Sequence, residues 1–422
     1  MVNKFKGIFE KHKYAIFIFV FFVVYNFTIV GNFSFPKISY LCYIFHLVDF
    51  SIGFLPELLP GAIYNALFST TEIEAVNLYV NITYHLFLLV VSFMLEKFLY
   101  KFDSKNRFIA FLIVLFFITG PSTFSIHTAE IGMLDMYWLF FAVIFLIMVQ
   151  NKYLKWFVPI IFALSVVVHF GAMISFIPFF ALIVLFEASQ NEKVSKSYIL
   201  IFSGSVLISV ATFIYFIANE ESNLIMSLDS FRALISERYT PRVEYTPDYY
   251  EFALYRILPE NYGVETEGFA ATNDSSFLLQ TFGAFLRQVS LNLNVFPKIE
   301  KIYFVDFARN VFASMPIIIF LYKCILSFFK KDRENKLRRF VWFCALCLLP
   351  FTFLTSVVCS VDLNKWFGHG VICLFTLVIY GLYKSPDNDY LEKLNNRFKN
   401  SSYYVIIIYF VFYMMCTVET YT

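Results

Sequence analysis

The chain has 422 residues, 59% of them hydrophobic, 21% aromatic and 15% charged, with a formal net charge of +2. A water-soluble domain carries about 25% charged residues, so this composition excludes a surface wetted on every side. The near-neutral balance excludes a nucleic-acid binder, which needs a basic domain to displace counterions from phosphates. The seven cysteines are scattered, and the one CxxC (Cys344 and Cys347) has no second pair or histidine nearby, which fits helix packing better than a metal or redox centre.

The chain therefore reads as an all-α polytopic membrane protein. A span needs about 20 apolar residues, fewer where neighbours bury its ends. Eleven such segments are expected, near 14–30, 76–96, 108–125, 136–150, 155–169, 171–187, 198–218, 308–328, 340–358, 368–383 and 403–418. Four lysines precede the first, and Gly31-Asn-Phe-Ser-Phe-Pro after it has no small-x-small cleavage pattern, so it is expected to remain as a span with its N-terminus inside. Between the first two spans, loop 31–75 holds two short amphipathic pieces, Tyr40–Phe50 and Glu57–Thr70, broken by Gly53, Pro56 and Pro60.

The short segments 1–13, 97–107, 151–155, 188–197, 329–339 and 384–402 together hold 22 of the 33 Lys and Arg residues, which places them inside and the C-terminus outside. A long outer loop, Asn219–Asp306, is rich in Phe, Leu and Tyr and is expected to be folded. Within it Ser276–Phe296 is long enough to span, but Gln280, Arg287, Gln288, Asn292 and Asn294 make it amphipathic, and it is expected to lie in the outer interface. The organisation is a first membrane module (1–218), the large outer loop (219–306) and a C-terminal module (307–422). No internal repeat is visible, which argues against an inverted-repeat transporter.

The ionisable residues that could carry chemistry gather on the expected outer side. They are His46, Asp49, Glu57, Glu72 and Glu74 in the first loop; His127, Glu130 and Asp135 before span four; His169 between spans five and six; and Asp362, Lys365 and His369 before span ten. Such residues at membrane depth are costly and usually face a cavity or one another. Glu72 and Glu74 read as solvated. Asp49 lies among Leu47, Val48, Phe50 and Ile52, where burial is expected to raise its pKa toward that of a general base; a helix-capping aspartate before Gly53 is the simpler reading. Asp135 could cap the following helix, and His169 could bond backbone at the helical break. Asp362 and Lys365 sit one turn apart beside Trp366, as an ordinary ion pair would. No GxGxxG, Walker A or zinc-ligand spacing occurs.

This layout resembles the integral-membrane glycosyltransferases of the GT-C type over roughly the first 310 residues. They place a catalytic acid in the first outer loop and a second large outer loop after span seven. The chain also resembles bacterial polysaccharide polymerases of the Wzy and EpsG kinds. A further likeness is to bacterial membrane proteins with D-[YF]-x-x-G-F-x-x-R, G-R-x-D and D-x-x-R-W patterns, here Asp49 to Glu57, Gly132 to Asp135 and Asp362 to Trp366. The acids match, while Glu57, Met133 and Lys365 stand in place of the arginines. The resemblance implies a bacterial inner-membrane enzyme that takes a sugar from a polyprenyl-phosphate donor to a glycan acceptor. It implies Asp49 as base, Glu130 or Asp135 positioning the acceptor or a divalent cation, and His169, Arg238, Arg242, Asp362, Lys365 and His369 as substrate contacts. No metal is required by the residues themselves. The alternatives are a transporter or flippase, which would place polar groups such as Asn77, Asn81, His85 and Lys323 along a path through the spans, and a structural or assembly subunit without catalysis.

Overall fold

The structure, a computed structural model, describes residues 10–31, 33–52, 54, 57–120, 123, 131–191, 193–218, 230, 233, 234, 237, 238, 301–359, 363–386 and 388–398. Among these residues it is all-helical. In chain order the helices are α1 (Lys13–Tyr25), α2 (Tyr40–Leu47), α3 (Leu59–Leu67), α4 (Ile73–Leu99), α5 (Ser104–Thr119), α6 (Leu134–Gln150), α7 (Val158–Val168), α8 (Phe176–Ala188), α9 (Lys196–Ala218), α10 (Lys301–Lys331), α11 (Lys336–Cys359), α12 (Leu363–Lys384) and α13 (Asp389–Phe398). Among the described residues four segments are long and apolar enough to cross a membrane: Ile73–Leu99, Lys196–Phe216, Phe307–Lys331 and Lys365–Lys384.

Ten of the eleven expected segments fall on these helices; the eleventh, 403–418, and the interfacial Ser276–Phe296 lie outside the described residues. Local chemistry sets several ends. The segment expected to run to 125 stops as α5 at Thr119, because Gly120 precedes Pro121 and a residue before proline is driven out of helical geometry. Segment 155–169 opens with a 3-10 turn (Leu154–Phe157), and α7 starts only with Pro159 in its first turn. The two amphipathic pieces of the first loop are helices α2 and α3. Ser39 Oγ accepts from the Cys42 N–H to cap α2, and Pro60 opens α3. Helix α13 is capped by Asn388 Oδ1, which accepts from the N–H groups of Tyr390 (3.1 Å) and Leu391 (3.3 Å).

Helix α8 is apolar on every side and buried along nearly its whole length, as a central helix must be. It packs on α9, α11 and α12; α7 packs on α6 and α9, and α1 on α4. By contrast α9 is largely uncovered by protein and shows Leu200, Leu207 and Ile208 outward, the composition of a lipid-facing surface.

Polar contacts collect at the two ends of the bundle. At one end Glu96 of α4 caps α1 from across the gap: its Oε1 accepts from the N–H groups of Tyr14 (3.2 Å) and Ala15 (3.1 Å). Glu187, closing α8, takes Tyr380 OH at 2.6 Å and Lys384 Nζ at 2.8 Å, both from the end of α12. Asn335 and Arg338, at the α10–α11 turn, donate to the Ser189 carbonyl at 2.9 and 2.8 Å. The α8–α9 and α10–α11 turns therefore share one end. Lys365 lies in the first turn of α12 and Lys384 ends it, so at 1.5 Å rise per residue these contacts lie roughly 28 Å from the opposite pole.

Candidate functional site

The opposite pole joins the first loop, the start of α6, the α7–α8 turn and the start of α12. Gly132 (φ +91°) makes the turn into α6; a β-carbon there would be strained and pressed within 3.3 Å of Ile38, Cys42 and Val80. This turn puts Asp135 in the first turn of α6, while the N-cap position is Met133, which makes no side-chain cap. Instead of capping, Asp135 is buried and pairs across the bundle. Its Oδ2 lies 2.5 Å from Lys365 Nζ and 3.7 Å from His369 Nε2, both on α12. Lys365 thus finds its acid on another helix; Asp362, the acid expected one turn away, lies outside the described residues.

His169 terminates α7. Its Nδ1 accepts from the Gly171 N–H at 2.9 Å, and a backbone N–H can only donate, so the ring proton sits on Nε2. Nε2 points at Glu57 Oε1, 3.3 Å away. Glu57 has left-handed backbone (φ 72°), uncommon for a residue with a β-carbon. That conformation sends its N–H to the Val167 carbonyl (2.9 Å) and its carboxylate to His169, clamping the first loop onto the end of α7. Between the His169–Glu57 contact and the Asp135–Lys365 ion pair stand Trp138 and Trp366. Trp138 is 5.5 Å from each of His169 and His369, and Trp366 is 6.3 and 5.7 Å from them, ring centre to ring centre. Gly171 is required here because a β-carbon would fall 2.1 Å from Trp366 Cη2.

Asp49 forms a second centre. Oδ1 accepts from the Ser51 N–H at 2.8 Å, heading a 3-10 turn (Phe50–Ile52), and Oδ2 accepts from Asn65 Nδ2 at 2.6 Å. Arg238, from the long loop, lies 3.4 Å from Oδ2 and donates to the Leu47 carbonyl at 2.7 Å. The apolar sequence neighbours of Asp49 predict a raised pKa, and the structure shows the opposite direction. Burial does push it upward and is the largest single influence, but the contacts from Ser51, Asn65 and Arg238 together outweigh it, leaving the carboxyl below its ordinary value. At neutral pH Asp49 is ionised.

Next to it, His46 is wholly buried. Its Nδ1–H donates to the Cys42 carbonyl at 2.6 Å, so Nε2 is left to accept from Tyr137 OH at 2.9 Å. Burial pushes its pKa down to about 4, against the opposing pull of the Cys42 carbonyl, and the ring is neutral. No family model, curated protein or solved structure matches this chain.

Of the expected site residues, Asp49 meets Arg238, and Asp135 meets Lys365 and His369, with His169 joined through the tryptophans; Glu130, Arg242 and Asp362, like His127, lie outside the described residues. Glu72 and Glu74 are exposed. Glu57, the partner of His169, is a site residue that the sequence signals only by its place at an arginine position of the resembled pattern. Asn77 and Asn81, considered for a transport path, instead tie down the approach to α2: Asn77 Oδ1 accepts from the Ile38 N–H and Asn81 Nδ2 donates to the Pro36 carbonyl, at 3.0 and 2.9 Å. Among the described residues no group of three or more His, Cys, Asp or Glu side chains is arranged to hold a metal ion.

Proposed function

We propose that this chain is a multi-pass glycosyltransferase of a bacterial inner membrane, taking a sugar from a polyprenyl-phosphate donor to a cell-envelope glycan on the outer face. The observation that carries the reading is convergence: acids and bases from residues 49, 57, 135, 169, 238, 365 and 369 meet at the pole of the bundle opposite the basic turns. A glycosyl phosphate has a good leaving group, so the reaction needs a base for the acceptor hydroxyl and cations for the departing phosphate. Asp49 and Arg238 supply one of each. When the donor phosphate draws the Arg238 guanidinium away, Asp49 loses one of the contacts that hold its pKa low and becomes the better base. The Asp135–Lys365–His369 cluster would orient the acceptor or neutralise the phosphate. A Wzy-like polymerase is the second reading, favoured by the seating of a long-loop arginine, Arg238, in the centre.

The topology we propose has eleven spans, with the basic turns inside and the site outside. Its support is that the α10–α11 turn rests on Ser189, at the same end as the α8–α9 turn. The chain from 219 to 300 then returns to the pole where α9 delivered it, which fits Ser276–Phe296 lying in the interface. The transport reading is weakened by the engagement of Asn77 and Asn81 with local backbone.

The test is deletion in the host, with surface glycans and polyprenyl-linked intermediates profiled by mass spectrometry after complementation with wild type, Asp49→Asn and Arg238→Gln. Loss of one sugar, restored by wild type alone, is the expected result. Accumulated single repeat units that persist with Arg238→Gln but clear with Asp49→Asn would assign the polymerase instead. Unchanged glycans and intermediates would exclude both.

A further inference from the structure

The basic pole, remote from the proposed site, carries a surface that contact between helices does not explain. The turn into α7 exposes Tyr153 (69%), Trp156 (49%) and Phe157 (53%), large rings that a folded chain would bury unless something else covers them. The turn is a fixed structure, since Asn151 Oδ1 accepts from the N–H groups of Tyr153 (2.9 Å) and Leu154 (3.1 Å). Lysines interleave with the rings: Lys152 Nζ lies 4.6 Å from the centre of Tyr153, and Lys155 Nζ lies 4.3 Å from Tyr198 and 5.6 Å from Trp156. Lys155 also donates to Ser197 Oγ at 2.8 Å, which brings the turn against the start of α9, and Ser195 Oγ is 3.1 Å from Ser197 Oγ. There Lys193 and Lys196 are exposed. The two segments hold four lysines against one acid in sequence, Glu192. The nearby Glu187 is engaged by Tyr380 and Lys384.

We infer that this surface binds the headgroup of an anionic phospholipid, with Lys152, Lys155, Lys193 and Lys196 around the phosphate and Tyr153, Trp156 and Phe157 in the glycerol and acyl boundary. Two observations choose a lipid over a free anion. The rings are amphipathic and exposed, the composition of an interfacial belt, whereas a phosphate alone needs no apolar cover. The patch also sits at the end of α9, the least buried of the four long apolar segments among the described residues, so acyl chains can continue along it. The inference needs the chain to sit in a bilayer and does not depend on the glycan reading.

The test uses the full chain reconstituted in phosphatidylcholine vesicles in which a fixed fraction of lipid is either brominated phosphatidylcholine or brominated phosphatidylglycerol. Quenching at Trp156 is isolated by subtracting a Trp156→Phe variant. The expected result is markedly stronger quenching by the anionic lipid, with its apparent affinity falling about fivefold for each lysine removed, as expected for charges at an anionic surface. Lys152→Gln and Lys196→Gln are exposed changes that keep the test valid should a Lys155 variant fail to fold. Equal quenching by the two lipids, or preference unaltered in Lys152→Gln/Lys196→Gln, would overturn the inference. So would loss of the preference in millimolar inorganic phosphate at constant ionic strength, which would assign the site to free anions.

Discussion

Asp135 and Lys365 meet in a setting where an isolated charge is scarcely tolerated: their side chains are 4% and 11% exposed. Removing one partner of a buried pair leaves the other uncompensated, typically at a cost of about 3–5 kcal/mol, whereas replacing both by apolar side chains of similar size is often neutral. Asp135→Asn is therefore expected to unfold at a clearly lower temperature in detergent, and Asp135→Leu/Lys365→Met to recover most of the loss. Glycan synthesis should fail in both. Recovery of synthesis along with stability in the double variant would reduce the pair to a structural clamp and remove it from the site. The two residues stand 230 positions apart, and sequence alone supplied for Lys365 only a nearer acid, Asp362. Each was legible as costly to bury; which acid answers which base depends on how α6 and α12 face, and periodicity does not encode that.

Among the elements, the short helix α2 and its approach are held to the bundle by side-chain hydrogen bonds. His46 bridges the Cys42 carbonyl of its own helix and Tyr137 of α6, and Ile38 and Pro36 are held by Asn77 and Asn81 of α4. Because the folded pKa of His46 is about 4, against an ordinary value of 6.5, the folded state resists a proton that the unfolded chain accepts. Stability from this group is complete above about pH 6.5 and is lost as pH falls toward 4, by roughly 3 kcal/mol across the window. Thermal unfolding followed from pH 7 to pH 4.5 should show this loss, and His46→Gln should flatten it. An unchanged slope in that variant would mean that another group carries the acid sensitivity. Helix α2 was legible from its amphipathic pattern. Its docking was not, because a histidine in an apolar stretch reads the same whether it is a ligand, a base or a neutral bridge. The opposite failure occurred at Asp49, where apolar sequence neighbours suggested a raised pKa. The donors that hold it low come from residues 51, 65 and 238, and only the first is close in sequence.

For the whole molecule, orientation decides whether the proposed site faces the compartment where polyprenyl-linked sugars are used on the outer side. Lysine and arginine counts argue for basic turns inside, and counting Ser276–Phe296 as a span would invert everything after it. The turn holding Asn335 and Arg338 is hydrogen-bonded to Ser189, which supports the proposed order of the turns. Single cysteines introduced as Glu72→Cys, Asn191→Cys and Glu334→Cys, all at exposed positions, can be probed in intact spheroplasts with a membrane-impermeant maleimide, in a background whose native cysteines are replaced by alanine. Position 72 is expected to label from outside, and positions 191 and 334 only after lysis. Labelling of 334 from outside with 191 protected would separate two turns that the fold holds together, and would make Ser276–Phe296 a true span. Labelling of 191 and 334 from outside with 72 protected would turn the Asp49 and Asp135 pole to the cytoplasm. A nucleotide-sugar donor would then be the reachable substrate class, and the polyprenyl-phosphate reading would fall with the topology that supports it.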